Sequence, residues 1–473
     1  MLIVHLFLLK KVLYIFIIKT DGMRSESGGE AVDRRSLLQA AGGVGAAGLA
    51  GLAGCQGGGS TAENTPEHPP LGNYPVDGET VALGFNVPQS GTYAAEGRDE
   101  LRGYELAVAH LNEGGGWVGQ GSFDVLSGDG VLGKTVEYVT ADTETKPDVA
   151  TANAEEMIEQ DDIVMFSGGS SSSVAIAQQE VAQARKVPYM CCLTHSNDTT
   201  GTDCVRYSFR EMFNAYMTAQ ALLPVLKERF GREARYVQVY ADYNWGKTME
   251  SSIRDFFTSS GWVELTSIPT RLGTTDYEEP LKQARDAGAE VVFLDHYGLD
   301  AANSLTTAQE ILPDEVGIVV PLYNRIVAQN ASTALGGVVG TVAWDTSVSS
   351  DLSNAFKNAF TAEYGNAQRP SGVAHLAYAQ TLQYAAAVER AGTFYPPAVI
   401  RELEDHEYSV GLGSQTIRRC DHQAQRGVPV VEGLSESEQS LGRFYELLSV
   451  TRAVGYDCDG GPATECELGG YGD

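Results

Sequence analysis

Four consecutive serines at positions 170–173 offer the clearest binding chemistry in the sequence. They stand between the apolar run 163–168 and a segment with helical spacing, so the last of them can cap a helix. Backbone N–H groups at a helix N-terminus, together with serine hydroxyls, form a cradle for an anion or a carbonyl oxygen. The lysine and the spacing of a phosphate-binding loop are missing. We therefore predict that Ser171, Ser172 and Ser173 bind a carboxylate or a carbonyl group; a flexible serine-rich turn is the alternative.

Thr194 and His195 follow the next apolar run, 187–193, and are predicted to line the same pocket. Cys191 and Cys192 lie beside His195, but a fourth ligand at suitable spacing is missing, so we predict no metal and no other cofactor. A serine nucleophile needs a base held close to it. The sequence has no G-x-S-x-G elbow, no G-x-G-x-x-G after its first strand and no H-E-x-x-H. These patterns favour a binding protein over an enzyme.

Aromatic side chains and carboxylates follow the other apolar runs. Tyr243 and Trp245 come directly after the run 235–242, where their rings can pack against an aliphatic group or face a cation. The alternative is that both belong to the core of one lobe. The other predicted ligand contacts also stand at the ends of apolar runs and are Tyr93, Glu96, Asp295, Tyr297 and Tyr323. For Tyr93 and Glu96 the alternative is a surface turn.

The strands that carry these residues alternate with helices. The strand-like runs are 81–87, 135–142, 163–168, 187–193, 235–242, 291–297, 317–323 and 340–345, and amphipathic segments separate most of them. Continuous apolar strands between helices imply parallel sheets covered on both faces. These eight strand–helix units are more than one doubly wound sheet usually contains. We therefore predict two sheets, and hence two lobes, although the periodicity alone also allows a barrel. Ligands of open α/β sheets bind at the carboxyl ends of the strands, where the candidate residues stand.

Composition limits the possible partners. The 473 residues include 62 Asp and Glu against 33 Lys and Arg, a net charge of −29. Such a surface repels phosphates and so excludes nucleic acid as a partner. Hydrophobic residues make up 43% of the chain, enough for a folded core. The abundance of acids is typical of halophilic proteins, and we expect a haloarchaeal source; an acidic protein from an ordinary bacterium is the alternative.

Residues 33–55, DRRSLLQAAGGVGAAGLAGLAGC, have the pattern of an export signal. The paired arginines point to the Tat route, and LAGC resembles a lipobox, in which the chain is cut before Cys55 and lipid is attached to its thiol. An ordinary glycine-rich signal or linker with an incidental cysteine is the alternative. We therefore expect a lipid-anchored protein on the extracellular face of the cell membrane. Residues 1–54 are predicted to be an upstream segment and this signal, with translation starting at Met23; an extra membrane helix is the alternative. Residues 55–79 are predicted to be the lipidated cysteine and a flexible tether.

Six cysteines follow Cys55, an even number that favours disulfides outside the cell. Cys458 and Cys466 are close enough in sequence to close a short loop in the C-terminal tail, residues 451–473. Cys204 is a candidate partner of Cys191 or Cys192. The sequence leaves the pairing open, including that of Cys420.

The chain resembles the solute-binding proteins of branched-chain amino acid and urea or amide ABC transporters over roughly residues 80–450. The segments that carry the resemblance follow in order and are VALGFNVPQSGTYAAEGRDELRGYELAVAHLNEGGG, GKTVEYVTADTETKPDVATANAEEMIEQD, SGGSSSSVAIA, ARKVPYM, YADYNWGKTM, LGTTDYEEPLKQARDAGAEVVFL and IRRCDHQAQRGVPVV. The resemblance implies the type I periplasmic-binding fold, with two Rossmann-like lobes joined by a three-crossover hinge. Lobe 1 would comprise 80–205 and 342–395, and lobe 2 would comprise 206–341 and 396–450.

The same resemblance assigns roles to residues. Ser171 and Ser172 would hold a ligand carboxylate, Thr194 would add a contact, and Trp245 and Tyr297 would supply aromatic walls. The acid that binds the ligand ammonium in the family would follow VVPLYN, where this sequence has none, so either Asp295 replaces it or the ligand is an amide such as urea. Glu96 stands where some members have Tyr. A permease in the membrane would be the partner, and a ligand-sensing surface lipoprotein is the alternative to transport.

Overall fold

The computed structural model describes residues 68–366, 369–440, 442–451 and 455–472. The predicted export signal and the predicted lipidation site Cys55 lie outside the described residues. Part of the predicted tether is described, and it is bound to the protein rather than flexible. The side-chain amide of Asn73 donates hydrogen bonds of 2.9 Å to the carbonyl oxygens of Ile158 and Ile163. Tyr74 packs against the core and against Tyr395, because this part of the segment carries apolar side chains.

The first sheet has five parallel strands. They are β1 (Thr80–Val87), β2 (Thr135–Asp142), β3 (Met165–Gly169), β4 (Tyr189–Cys192) and β5 (Ser208–Arg210), in the order β2-β1-β3-β4-β5. The helices that follow β1, β2 and β3 are α1 (Ala94–Glu113), α2 (Pro147–Gln160) and α3 (Ser172–Arg185). The central strands β3 and β4 are buried throughout, as strands covered on both faces must be.

The second sheet has seven strands in the order β15-β14-β10-β9-β8-β6-β7. Its parallel strands are β6 (Arg235–Ala241), β7 (Val263–Thr270), β8 (Val291–Asp295), β9 (Gly317–Tyr323) and β10 (Val339–Val342). The helices of this lobe are α4 (Ala215–Phe230), α5 (Asn244–Ser259), α6 (Glu278–Asp286), α7 (Gly298–Ile311) and α8 (Arg325–Asn330). The antiparallel strands β14 (Val428–Gly433) and β15 (Tyr445–Thr451) complete one edge.

The chain passes between the two lobes three times, after β5, after β10 and before β14. The elements between the second and third passages are α9 (Asp351–Tyr364), α10 (Gly372–Ala391), α11 (Pro396–Leu403), β11 (Glu407–Ser409), β12 (Ser414–Ile417) and β13 (Ala424–Gln425). Helix α10 packs along α1 on the first sheet. Single 3-10 turns lie at Gly121–Phe123, Asp198–Thr200, Ser332–Ala334 and Gly461–Glu465. The predicted two-lobed α/β fold with parallel-rich sheets is confirmed.

The predicted lobe boundaries differ from the structure at two places. β5 belongs to the first sheet, so the first passage comes after residue 210 rather than 205. Residues 396–425 also lie with the first lobe: α11 packs on α10, the ring of His422 stacks on Phe209 of β5 at 4.0 Å, and Gln423 forms a bridge with Arg210. The contacts of His422 and Gln423 with β5 join residues more than 200 positions apart in sequence, which local patterning does not reveal.

The disulfides also differ from the predicted pairings. Cys204 pairs with Cys466, and Cys420 pairs with Cys458, whereas Cys191 and Cys192 are buried free thiols on β4. The suggested Cys458–Cys466 loop and the suggested Cys204 pairing with a β4 cysteine are therefore wrong. Both disulfides instead attach the C-terminal tail to loops of the first lobe.

The Cys420–Cys458 disulfide closes a segment with a sequence separation of 38, so it restricts the unfolded chain. A Cys420→Ser/Cys458→Ser double variant should lose about 2–4 kcal/mol of unfolding free energy, measured by denaturant titration in molar salt. Cys191→Ala is the control, because it removes a buried thiol that is in no disulfide, and it should cost about 1 kcal/mol in packing. Equal losses in the two variants would contradict a stabilising role for the disulfide.

Candidate ligand-binding site

Residues that follow strands of the first sheet meet residues that follow strands of the second sheet. The Tyr93 and Tyr243 hydroxyls are 2.9 Å apart. Ser173 Oγ donates to Asn244 Oδ1 at 2.7 Å. The main-chain N–H of Asn197 donates to Thr248 Oγ1, and its side chain donates to Ser252 Oγ. These contacts define a cleft between the carboxyl ends of the two sheets, the position in which α/β proteins bind ligands.

The serine loop is held in a strained turn at the end of β3. Gly168 has φ +134°, and a Cβ there would lie 2.0 Å from the carbonyl oxygen of Asn86, so only glycine fits. Ser170 has φ 29°, a left-handed conformation that non-glycine residues rarely adopt. Such strain clusters at functional sites. Ser171 is the N-cap residue of α3, yet its side chain makes no capping hydrogen bond. The first N–H groups of α3 therefore remain a candidate anion cradle, as the sequence predicts.

The other serines of the loop already have partners in the structure. Ser172 Oγ accepts hydrogen bonds from the N–H groups of His195 and Ser196, at 3.4 and 3.1 Å, and so joins the loops after β3 and β4. Ser170 Oγ, which the sequence analysis did not select, donates to the carboxyl group of Glu100. The spacing of Glu100 four residues after Glu96, on the same face of α1, was the signal available for this residue.

Thr194 and His195 are both buried in the first lobe beside the serine loop. Thr194 Oγ1 lies 3.2 Å from Thr199 Oγ1, and His195 Nε2 lies 2.8 Å from Thr218 Oγ1. Burial lowers the pKa of His195 well below its ordinary value, and the charge of Arg210 lowers it further. His195 is therefore a neutral polar group of the cleft wall at pH 7.

Aromatic rings from both lobes surround one region of the cleft. The ring of Tyr297 lies 5.9 Å from Tyr93 and 6.2 Å from Trp245, and Trp245 lies 6.2 Å from Tyr243 and 6.0 Å from His195. Trp245 and Tyr297 are 2% and 4% exposed, and Trp245 Nε1 has no hydrogen-bond partner among the described residues. Buried donors without partners are uncommon in proteins and point to a missing acceptor.

Two carboxyl groups of α1 lie in the same region. Glu96 Oε1 accepts a 2.9 Å hydrogen bond from Asn324 Nδ2 of the second lobe. Gly298 approaches so closely that a Cβ there would lie 2.7 Å from Glu96 Oε1. Burial raises the pKa of Glu96 to about 7 and that of Glu100 to about 8, although hydrogen bonds from Asn324 and Ser170 oppose the two shifts.

Asp295 and Tyr323, the two remaining predicted site residues, have surroundings that differ from those of the aromatic and carboxyl groups described above. Both oxygens of the buried Asp295 lack a hydrogen bond from any residue that the structure describes, and its pKa is raised well above the ordinary value by burial and then by Glu264 of β7. Tyr323 packs on Tyr445 at 5.1 Å and borders, with Tyr297, a cavity of about 20 Å³ that has room for about one water. A larger cavity, about 720 Å³, is lined by residues such as Gln415 and contains none of the predicted site residues.

Two further observations concern partners. Within the described ranges, no three His, Cys, Asp or Glu side chains are grouped so as to hold a metal ion. In the part of the chain that the structure describes, no helix combines the length and apolar character needed to cross a membrane.

Comparison with known proteins decides the family. The family model described as periplasmic binding protein matches residues 80–438. The chain belongs to the periplasmic binding protein family.

Relatives of this binding protein are distant in sequence. Leu/Ile/Val-binding protein homolog 7 of Brucella abortus (strain 2308) is 24% identical over 237 residues, 49% of this chain and 55% of the relative. The chain thus spans about half the length of the curated relatives it matches.

Two solved structures show the same fold. The branched-chain amino acid transporter substrate binding protein LivJ of Streptococcus pneumoniae, in complex with isoleucine, has a TM-score of 0.65 at 21% identity, covering 78% of this chain and 99% of that chain. A solute binding protein of an ABC transporter from Rhodopseudomonas palustris, in complex with 3,4-dihydroxy benzoic acid, has a TM-score of 0.69 at 19% identity, covering 80% and 99%.

An ion pair spans the cleft of this binding protein. Arg325 Nη2 lies 2.8 and 2.6 Å from the two oxygens of Asp99, whose side chain is 3% exposed. Arg102, on the same helix as Asp99, approaches one of these oxygens at 2.9 Å. Arg325 and Asn324 were missed at the sequence level, although both directly follow the apolar run that forms β9.

Arg325→Ala should shift the free protein toward an open arrangement of the lobes, since a buried ion pair between them is lost. We expect a larger radius of gyration by small-angle X-ray scattering and about tenfold weaker ligand binding, equivalent to about 1.4 kcal/mol. Arg102→Ala is the matched control, because it removes a partner of the same carboxylate without crossing the cleft. The same radius in wild type and Arg325→Ala would show that this pair does not hold the lobes together.

Proposed function

We propose that this protein is the extracellular solute-binding component of an ABC importer, that it captures a branched-chain or other amino acid in the cleft, and that it delivers this solute to a permease. The observation that carries the proposal is the set of hydrogen bonds between strand-end residues of the two lobes, such as Tyr93–Tyr243 and Ser173–Asn244. Groups that meet only when the lobes approach each other suit a protein that closes around its ligand.

The mechanism is capture without covalent chemistry. The solute binds first to the serine loop and the N-terminus of α3 on the first lobe, where the helix end favours a carboxylate. Closure then brings Trp245 and Tyr297 against the solute from the second lobe. Because the ligand contacts both lobes only in the closed form, it shifts the population toward that form. The closed form is the one that docks on the permease.

The geometry of the serines and His195 supports binding rather than hydrolysis. Ser172 Oγ accepts from the main-chain N–H of His195, not from its ring. The Nε2 atom of that ring faces Thr218 Oγ1 at 2.8 Å. A nucleophile–base pair requires a direct hydrogen bond between the serine hydroxyl and the imidazole, and none of these serines makes one.

The cellular setting of the proposal rests on the sequence. The twin-arginine pattern and the LAGC sequence in 33–55 support Tat export and lipid attachment at Cys55. The net charge of −29 supports a halophilic source, with a haloarchaeal surface as the expected location. A lipid anchor would keep the binding protein close to its permease in the membrane.

The first test is isothermal calorimetry with native mass spectrometry on the protein purified in molar potassium chloride. Leucine, isoleucine, valine, glutamate, urea and short amides are the ligands to compare. One-to-one binding of an amino acid is the expected result. Binding of urea or amides alone would move the proposal to an amide-binding protein, and binding of none would contradict it.

Trp245→Ala and Ser171→Ala should weaken this binding without unfolding the protein. Loss of a buried aromatic wall should cost at least about tenfold in affinity, and loss of one hydroxyl about fivefold. Ser259→Ala is the control, since Ser259 is exposed at the far end of the helix that begins beside Trp245. Circular dichroism confirms folding, and unchanged affinity in both cleft variants would refute the site assignment.

A further inference from the structure

Glu96 and Glu100 are buried acids of the cleft, and the binding mechanism proposed above gives them no role. They are one helical turn apart on α1, and both are at most 1% exposed. Each is fixed through one oxygen: Glu96 Oε1 by Asn324 from the second lobe, and Glu100 Oε1 by Ser170 from the serine loop. The pair therefore stands between the loop that is predicted to bind a carboxylate and the residues that close the cleft.

Positive side chains near this pair are engaged elsewhere. Arg325 and Arg102 both contact Asp99. Arg98, the other base on this part of α1, is exposed. A buried carboxylate is normally paired with a cation, because its desolvation is otherwise too costly.

Unpartnered polar atoms surround the same place. Glu100 Oε2 has no hydrogen-bond partner among the described residues, although Glu100 is fully buried. Trp245 Nε1, from the second lobe, also lacks a partner in the described part of the chain. Glu96 and Glu100 are near enough to Tyr297 to raise the pKa of its hydroxyl further, after burial. Glu100 belongs to the first lobe and Trp245 to the second, so a ligand held between the lobes could supply the partners that these atoms lack.

The titratable groups that face Glu96 come from both lobes. Asp99 raises and Arg98 lowers its pKa, after burial and the hydrogen bonds. The facing phenols, each with a pKa raised by burial and so neutral at pH 7, are Tyr93, Tyr243 and Tyr297.

Glu100 faces a second set of groups. Its pKa is also raised by Glu96 and Asp99. The groups of the first lobe that sense its charge are Tyr104, Tyr189, Cys191 and Cys192, and burial raises the pKa of each of them. Burial and the neighbouring acids thus raise the pKa values of both glutamates and disfavour their charged forms. Only the hydrogen bonds and, for Glu96, the charge of Arg98 act in the opposite direction. A bound cation would reverse this balance.

We infer that the ligand carries a positively charged amino group and that Glu96 and Glu100 of α1 bind it, with Tyr297 and Trp245 forming aromatic walls around it. The inference rests on the proposed function and assigns the ammonium group of its amino-acid ligand to two residues of α1. It places both charged ends of an amino acid on the first lobe, the carboxylate at the serine loop and the ammonium at α1. An acid at the end of β9 is then unnecessary.

Asp295 is the competing candidate for this role. Its oxygens also lack partners within the described ranges, but the charged residue that acts on it is Glu264 of β7, in the same lobe. Glu96 is tied to both lobes through Asn324, as expected for a group that contacts a ligand when the cleft closes.

Matched probes test the charge of the ligand. Isoleucine, 2-methylbutylamine and 3-methylpentanoate share the sec-butyl side chain and differ in having both charged groups, only the ammonium, or only the carboxylate. We expect isoleucine to bind most tightly and 3-methylpentanoate to bind at least about 100-fold more weakly, since an acid brings no cation to the two glutamates. Equal affinity for isoleucine and 3-methylpentanoate would overturn the inference but not the proposed function. Binding of none of the three, nor of the other amino acids tested above, would overturn both.

Variants and pH identify the acids. Glu96→Gln and Glu100→Gln keep the shape of a neutral carboxyl group, so they should fold, but each should weaken isoleucine binding about tenfold or more. Glu113→Gln is the matched control at the exposed end of the same helix and should leave affinity unchanged. If Asp295→Asn abolishes binding while both glutamate variants bind as wild type does, the inference is wrong.

Proton linkage gives an independent readout. Ligand binding should lower the raised pKa values of Glu96 and Glu100, so protons should be released on binding near neutral pH. Affinity should therefore rise at least about tenfold from about pH 6 to about pH 8.5. Calorimetry in phosphate and Tris buffers measures the released protons directly. No proton release in wild type, or equal release in the Glu96→Gln/Glu100→Gln double variant, would overturn the inference.

Discussion

The carboxyl ends of both parallel sheets face one cleft, and the polar side chains that follow those strands are hydrogen-bonded across it. Burying a polar group without a hydrogen-bond partner costs free energy, so the buried polar residues of one lobe need hydrogen-bond partners from the other lobe. Tyr93 meets Tyr243, Glu96 meets Asn324, and Asp99 meets Arg325. Polar contacts thus join the lobes at the cleft, beside apolar residues of both lobes that belong to one hydrophobic cluster, and such polar contacts can be exchanged for a ligand.

Burial gives the same residues their electrostatic character. Desolvation keeps His195 neutral and raises the pKa values of Glu96 and Glu100 into the neutral range. Apart from the Asp99–Arg325 ion pair and its neighbour Arg102, a closed cleft therefore holds few full charges of its own. A charged solute enters an environment of low dielectric constant, in which each ion pair and hydrogen bond is stronger than in water.

The C-terminal tail connects parts of the molecule that the cleft separates. Tyr456 packs under the guanidinium of Arg418, accepts a hydrogen bond from Asn214 and meets the ring of Tyr216 on α4. Cys420–Cys458 fixes the tail beside these contacts. The tail thus contacts the region where the chain passes between the lobes. These contacts do not involve the residues of the cleft.

The sequence by itself determined the α/β class, each of the eight predicted strands of the two main sheets, and the chemical types at their ends. Those features are local: apolar runs form buried strands, and polar residues follow where each strand ends. Four strands of these sheets, β5, β7, β14 and β15, were missed. β5 has only three residues, and β7 is partly exposed along its length and lacks a continuous apolar run. Glu100, Ser170 and Arg325 were missed because their importance comes from their partners, not from their own neighbours in sequence.

Only the tertiary structure decided which groups meet. It paired Cys204 with Cys466 across a separation of 262, packed residues 68–79 on the first lobe, and placed 396–425 with the first sheet. It also set the carboxyl pair of α1 against residues of the second lobe, more than 200 positions away. Periodicity encodes burial residue by residue, whereas pairings depend on how whole elements pack, and that information is spread over the entire chain.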